Sequence, residues 1–277
     1  MIIIAGLCYF FFAGTINDSL NVVVGNFAGK HGLDYNDVLA TATPAAWIGI
    51  VGVAVWTYVV EKIGSRKVGA IALVLGGLSY AAYGIVSSVA GFFAVTALVN
   101  FMAYGFCNTA AQVMLDHWFP TRKGLALGWA TMGSNLSGAL IIPIINFFVN
   151  RTGVSGSFFA VGTMIIVVAV IYMIFVRDMP DNGALSEDER EAGQRELAEY
   201  KSPWTVGKLL KCKQLWLVSI SFGIYILVTV SLVSQLVPRL IAGGWSPDKA
   251  TLMMSISAVL GLLGSYITGW LDQKWGT

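Results

Sequence analysis

Apolar residues run in long blocks along this chain and do not alternate with polar ones. Eight blocks of about 20 residues or more stand at 2–27, 39–60, 67–88, 91–115, 124–149, 155–176, 214–238 and 249–271. Each is long enough, as a helix, to cross a hydrocarbon layer of about 30 Å. The segments "FAGKHGLDYND", "VSSVAG" and "NRTGVSG" punctuate the joints. Pairs such as Gly25/Gly29 and Gly124/Gly128 fall one helical turn apart, where helices can approach closely. The pattern predicts an all-α membrane protein.

Composition agrees. Of 277 residues, 56% are hydrophobic and 12% charged, whereas a soluble domain carries about 25% charged residues. The net charge of +2 is spread over short loops, so no nucleic-acid partner is expected. Cys8, Cys107 and Cys212 lack metal-ligand spacing and read as free thiols. The start, "MIIIAGLCYFFFAG", has no basic segment and does not read as a cleaved signal peptide. His31 and His117 fall at opposite faces of the membrane, so they form no common metal site. No pairing of nucleophile and base appears, and no phosphate-cradling loop. We expect no enzyme, no catalytic residues, no metal and no cofactor.

Basic residues orient the chain. With the amino terminus cytoplasmic, the inner loops hold thirteen Lys and Arg and the outer loops four, which accounts for all 17. One polar loop, 177–213, separates six spans from two. Ser186 followed by Glu189 forms a capping box, so 186–200 should be helical. "PWTVGKLLKCK" suits an interfacial helix. The expected organisation is a six-span bundle at 1–177, a cytoplasmic linker at 178–212, and two spans of a second bundle at 213–277.

Three spans carry polar stripes. Thr15, Asp18 and Asn21 share a broad face at about 100° per residue, with Asn17 and Ser19 beside it. Asn100, Tyr104, Asn108 and Gln112 repeat every four residues in span four, and Ser221, Tyr225 and Thr229 do so in span seven. Polar groups are costly against lipid, so these faces should point inward. Asp18 is the carboxylate set deepest in a span. It can bind a coupling proton or cation, contact a solute, or pair with Asn100 or Tyr104.

Two inner loops resemble each other. Glu61-Lys62-Ile63-Gly64 follows span two, and Gln273-Lys274-Trp275-Gly276 follows span eight, with Asp272 supplying a carboxylate one place earlier. Repeated six-span halves are a transporter architecture. "TYVVEKIGSRK" resembles the loop between spans two and three of the major facilitator superfamily, with Glu61, Lys62, Gly64, Arg66 and Lys67 in its pattern and Ser65 departing from it. "DHWFPTRKGLALGWATMGSNLSGALIIPIINFF" resembles the joint of spans four and five in the oxalate/formate antiporter and monocarboxylate transporter branch. It is also similar to organic-anion/proton symporters.

The resemblance implies a six-helix bundle plus the start of a second, pseudo-symmetric helical bundle, eight of twelve spans, hence a fragment. It implies a secondary active transporter in the cell or plasma membrane, with the lipid bilayer, a small-molecule solute and a proton or cation as partners. Spans one, four and seven line the path in that family. Asp18 is then the coupling residue, and Asn21, Asn100, Tyr104, Asn108, Gln112, Tyr225 and Thr229 the solute-binding set. Glu61, Lys62, Gly64, Arg66, Lys67, Asp116, Arg122, Asp272 and Lys274 form gating loops that pair across two bundles. An organic anion is one candidate solute, but no span carries a central Lys or Arg to meet it, and a neutral, zwitterionic or cationic solute suits Asp18 better. The alternative is a non-transporting receptor or scaffold on the same fold.

Overall fold

A computed structural model describes residues 1–119, 122–178 and 206–275. Every regular element among them is helical. Helices α1 (Ile2–Ala13) and α2 (Leu20–His31) are joined by a π-helical turn, Gly14–Asp18, and bent by 54°. No proline causes this bend; the widened turn shifts the hydrogen-bond register instead. Thr15 adds to it by donating its hydroxyl to the Phe11 carbonyl at 2.7 Å. Gly32 then ends α2 in the left-handed conformation, φ 65°. Asp34 caps the short α3 (Tyr35–Ala40) by accepting from the Asn36 and Asp37 amides.

Helix α4 (Ala42–Ile63) ends at Gly64, and α5 (Ser65–Ala82) begins directly beyond it. Ser88 caps α6 (Val89–Ala103), which runs through a second π-helical turn, Tyr104–Ala111, into α7 (Gln112–Trp118). The 53-residue α8 (Lys123–Phe175) breaks its helical geometry at Gly153, φ 76°. At about 1.5 Å per residue it is far longer than one crossing. Its arms fold back on each other. The indole of Trp118, just ahead of the first arm, donates to the Arg177 carbonyl at the end of the second. Lys30 meets Ser155 beside the break. Helices α9 (Val206–Leu210), α10 (Lys213–Ala242) and α11 (Pro247–Trp275) complete the chain.

The stretches Tyr35–Ile63, Val89–Trp118, Lys123–Phe175 and Lys213–Leu232 are each long and apolar enough to cross a membrane, and the bent first pair adds a fifth. With α8 counted as two arms, and with α5 and α11, the eight expected blocks each have a helix. Residues 186–200 lie outside the described residues. Part of the expected interfacial segment, Val206–Leu210, is helical.

Contacts group Met1–Met179 with Thr251–Thr277 in one compact unit and Pro180–Ala250 in another. In the first unit α1 and α5 each lie along α8, and α4 lies against α6. Lipid tails supply no hydrophobic drive between helices, so close packing must hold them. At Gly77 and Gly162 the backbones of α5 and α8 nearly touch: a Cβ on Gly77 would stand 2.6 Å from the Gly162 carbonyl. Gly133 meets Gly6 in the same way. The anticipated pair Gly25/Gly29 does no such work, because Gly29 faces open space and Gly25 meets only the Tyr35 ring edge at 4.0 Å. Gly128 does make a close contact, with Gly269 of α11. Near the other end of the bundle Phe27, Tyr83, Phe92 and Phe158 interlock, and Tyr83 donates to Thr96 at 2.8 Å. Trp47, Ile50, Leu78 and Ile174 turn outward, as lipid contact demands.

Replacing Gly77 with alanine should therefore cost about 1–3 kcal/mol through overpacking. Gly29→Ala should change stability by less than about 0.5 kcal/mol. Denaturation of the two variants in detergent micelles checks the contrast; equal losses would remove the α5–α8 approach as a support of the fold.

Candidate functional site

The break in the first span sets Asp18 at the last position of the π-helical turn. Its Oδ2 is buried and has no hydrogen-bond partner. Two of its neighbours belong to the first arm of α8. Gly138 lies 3.9 Å from this oxygen, measured from where a Cβ would stand, and the Ser137 side chain is the adjacent polar group. Ser137 is fully buried, and its hydroxyl also lacks a partner. Ser19, equally buried, approaches the Tyr80 hydroxyl without completing a bond. Buried polar groups left unpaired are uncommon and each needs a physical reason.

The other residues of the first stripe go elsewhere. Thr15 is buried and bonded to its own helix. Asn21 lies beyond the bend, exposed, and accepts from the Tyr35 hydroxyl at 3.1 Å. The break thus splits a face that an unbroken helix would have kept together.

In span four, the π-helical turn holds Tyr104 and Asn108. An α-helix rotates a four-residue repeat by about 40° per step; a wider turn lessens that drift and keeps the stripe straighter. Asn100 is buried, with its amide donating to the Thr96 carbonyl at 2.9 Å and its own carbonyl oxygen unpartnered. Tyr104 packs edge-on against Phe12 at 5.3 Å, and its ring fills the space beside Gly49. Asn108 is half-buried. Gln112 donates to the Tyr9 hydroxyl at 3.1 Å. Spans one and four therefore meet through Tyr104–Phe12 and Gln112–Tyr9. Asp18 pairs with neither Asn100 nor Tyr104; it turns to Ser137 and Gly138, which the sequence displays only as small residues in "GSNLSG". Tyr225 and Thr229 lie on α10 in the second compact unit, with Tyr225 61% exposed.

At the opposite end, Gly64 adopts φ 83° and ψ 160°. The Asp178 carboxylate occupies the space a Cβ would need, 2.7–2.9 Å away, so the joint demands glycine on two counts. One oxygen of Asp178 accepts from the Ser65 hydroxyl at 2.9 Å and the Arg66 amide at 2.7 Å. It does the work of an N-cap for α5 from another helix's end. The Arg66 guanidinium donates twice to the Met173 carbonyl, at 3.1 and 2.7 Å. Tyr172 donates to the Ser65 carbonyl at 3.3 Å, and His117 Nδ1 lies 3.0 Å from the Asp178 carbonyl. Ser65, which departs from the resembled loop, is thereby explained: it is buried and bonded to Asp178.

Glu61, Lys62, Lys67, Asp116 and Arg122 are exposed. Lys62 lies 5.6 Å over the Tyr58 ring, Lys274 lies 4.9 Å over Trp270, and Lys123 pairs with Asp116 at 3.5 Å. Such surface pairs contribute about 0–1 kcal/mol. The Asp272 side chain falls outside the described residues. No group of three or more His, Cys, Asp or Glu fit to hold a metal occurs among the described residues.

The sequence profile of the Major Facilitator Superfamily matches residues 3–277. An uncharacterised MFS-type transporter of Mycobacterium tuberculosis is 28% identical over 239 residues, covering 84% of this chain and 49% of that protein. The oxalate:formate antiporter of Oxalobacter formigenes is 26% identical over 183 residues, covering 63% of this chain and 40% of its own length. The chain thus spans about half the length of the curated relatives it matches, or less. Among solved structures, the proton:xylose symporter XylE bound to 6-bromo-6-deoxy-D-glucose superimposes with a TM-score of 0.65 at 15% identity. That match takes in 99% of this chain and 68% of the symporter's. At that identity the likeness is one of fold.

Removing the Asp178 carboxylate strands the Arg66 amide and frees Ser65. Asp178→Ala should cost about 0.5–2 kcal/mol, the usual loss of a helix cap. It should also speed amide exchange in the first turn of α5. Glu61→Ala, on an exposed side chain, should leave both unchanged. Hydrogen exchange followed by mass spectrometry on peptides spanning 65–70 reads the difference, and protection unaltered in Asp178→Ala would refute the cap.

Proposed function

The chain belongs to the major facilitator superfamily, and from that premise we propose that it forms part of a secondary active transporter coupled to a proton or cation at Asp18. It is an integral, multi-pass membrane protein of a transporter family. In the proposal a small polar solute crosses by alternating access, as two helical bundles expose a site between them to one face and then the other. Residues 1–177 make the first bundle, 178–212 the connecting segment and 213–277 the start of the second. The amino terminus lies in the cytoplasm, and the membrane is that of the cell.

The observation that carries the reading is Asp18, a carboxyl at a helix break with one oxygen buried and unpartnered. An isolated charge is costly in such a place, so ionisable residues within spans mark ion pathways. A proton or cation that binds when the site faces one side and leaves when it faces the other couples its own gradient to solute movement. Asn100, Tyr104, Asn108 and Gln112, with Asn21, Tyr225 and Thr229, supply neutral hydrogen-bonding groups for the solute. That set favours a neutral, zwitterionic or cationic solute. An organic anion, the cargo named for the Oxalobacter relative, needs a counter-charge, and no described span holds Lys or Arg at mid-depth. The loops carrying Glu61, Lys62, Gly64, Arg66, Lys67, Asp116, Arg122, Asp272 and Lys274 serve as the inner gate. Gly64 and Arg66 anchor it to the end of α8.

Uptake by the full-length protein in proteoliposomes tests the proposal, with an imposed pH or sodium gradient and a panel of radiolabelled pentoses, amino acids and monocarboxylates. Asp18→Asn should lower gradient-driven accumulation at least about tenfold, roughly 1.4 kcal/mol of coupling, while solute exchange without a gradient persists. Asp18→Asn accumulating solute as the wild type does, with the same dependence on the gradient, would refute the coupling. Binding without flux across the panel would favour a receptor.

A further inference from the structure

Residues 134–138 on the first arm of α8 have two occupied sides. On one, Ser134 donates to the Tyr9 carbonyl at 3.4 Å, and Ser137 and Gly138 face Asp18. On the other, Asn135 reaches α11, its amide donating to the Gly261 carbonyl at 3.1 Å and to the Ser265 hydroxyl at 2.7 Å. Helical rotation of about 100° per residue explains the division: Asn135 points about 160° from Ser137 and about 100° from Ser134, with Gly138 falling between the two sides.

The α11 contact continues along both helices. Gly128, seven residues before Asn135, falls on nearly the same side and lies against Gly269, where a Cβ would stand 3.1 Å from the Gly269 Cα. Gly261, Ser265 and Gly269 follow one another at four-residue spacing, the arrangement that lets two membrane helices approach closely. Among the described residues of this seam, Asn135 hydrogen-bonds across it through its side chain. It also fills the site so fully that a Cβ on Gly261 would collide with its side-chain oxygen at 2.5 Å.

We infer that Asn135 is a positioning residue through which occupancy of Asp18 by a proton or cation is transmitted to the α8–α11 seam. The inference rests on the proposed coupling role of Asp18 and adds a residue and a route to it. The mechanism is local. Ser137 and Gly138 adjust when the carboxyl's charge is filled or emptied, and Asn135, on the same helical turn, carries that adjustment to Gly261 and Ser265. No other carboxylate occurs in α1, in its π-helical turn or in residues 123–152. The other titratable side chains buried in α1, α5, α6, the adjoining π-helical turns and the residue that ends α5 are phenols and thiols: Cys8, Tyr9, Tyr80, Tyr83 and Cys107. Asp18 is therefore the one carboxylate there whose charge can be filled and emptied.

Hydrogen exchange at a fixed pH of about 7, on purified full-length protein, isolates this effect because Asp18→Asn mimics the filled carboxyl without any change of solution. In peptides covering 256–271, Asp18→Asn should alter the exchange rate at least threefold relative to the wild type. In an Asn135→Ala background the same change should shrink to less than about 1.5-fold. Ser265→Ala removes the shorter of the two bonds from the opposite helix and should also shrink the change, to less than about twofold, which guards against misfolding of one variant. A difference that survives in both folded backgrounds overturns the inference, as does an Asp18→Asn protein whose α11 exchange equals the wild type's. The uptake measurement judges Asp18 coupling separately. Coupling lost in Asp18→Asn with α11 exchange unmoved would sink this route alone, and coupling retained would sink the functional reading as well.

Discussion

The hydrocarbon layer offers no hydrogen bonds, and the rest of this structure follows from that deficit. Every backbone group must find its partner within the protein, so every regular element among the described residues is helical. Helices in lipid gain little by hiding apolar side chains from one another. They are held instead by close approach, as at Gly77 with Gly162, and by a few polar clasps such as Tyr83 to Thr96 and Asn135 to Ser265.

Where the helices depart from regular geometry, chemistry collects. The two π-helical turns fall within spans one and four, and between them hold Thr15, Asp18, Tyr104 and Asn108. A widened turn loosens the backbone register, and such turns are frequent at functional sites. The bend after Asp18 breaks the continuity of α1 and α2 and directs the carboxyl toward α8. That arrangement leaves Asp18 and Ser137 unsatisfied, a state the protein must hold with surrounding packing.

The end of the bundle holding Gly64 works by a different device. Asp178, from the end of α8, sits against Gly64 and caps α5, while Arg66 reaches back to Met173. Spans three and six are thereby tied at one point, and His117 and Trp118 bring the end of span four to the same place. These bonds fix the loop against the helices it joins.

The sequence by itself determined the class, the eight apolar blocks, the joints at Gly64 and near Gly153, and the candidate status of Asp18. Those features depend on composition, on hydrophobic length and on the φ freedom of glycine, which are local properties of the chain. Asp178 is not legible as a helix cap in the sequence because it stands at the start of a polar linker, 113 residues from its hydroxyl partner Ser65. Ser137 and Asn135 are ordinary small polar residues until another helix packs beside them. The Gly25/Gly29 spacing looked like a contact but faces open space, whereas Gly6 and Gly133 meet across 127 positions. Which polar group meets which, and which glycine is squeezed, is decided only when helices distant in sequence are brought side by side, because pairing energies in lipid depend on neighbours and not on the segment that carries them.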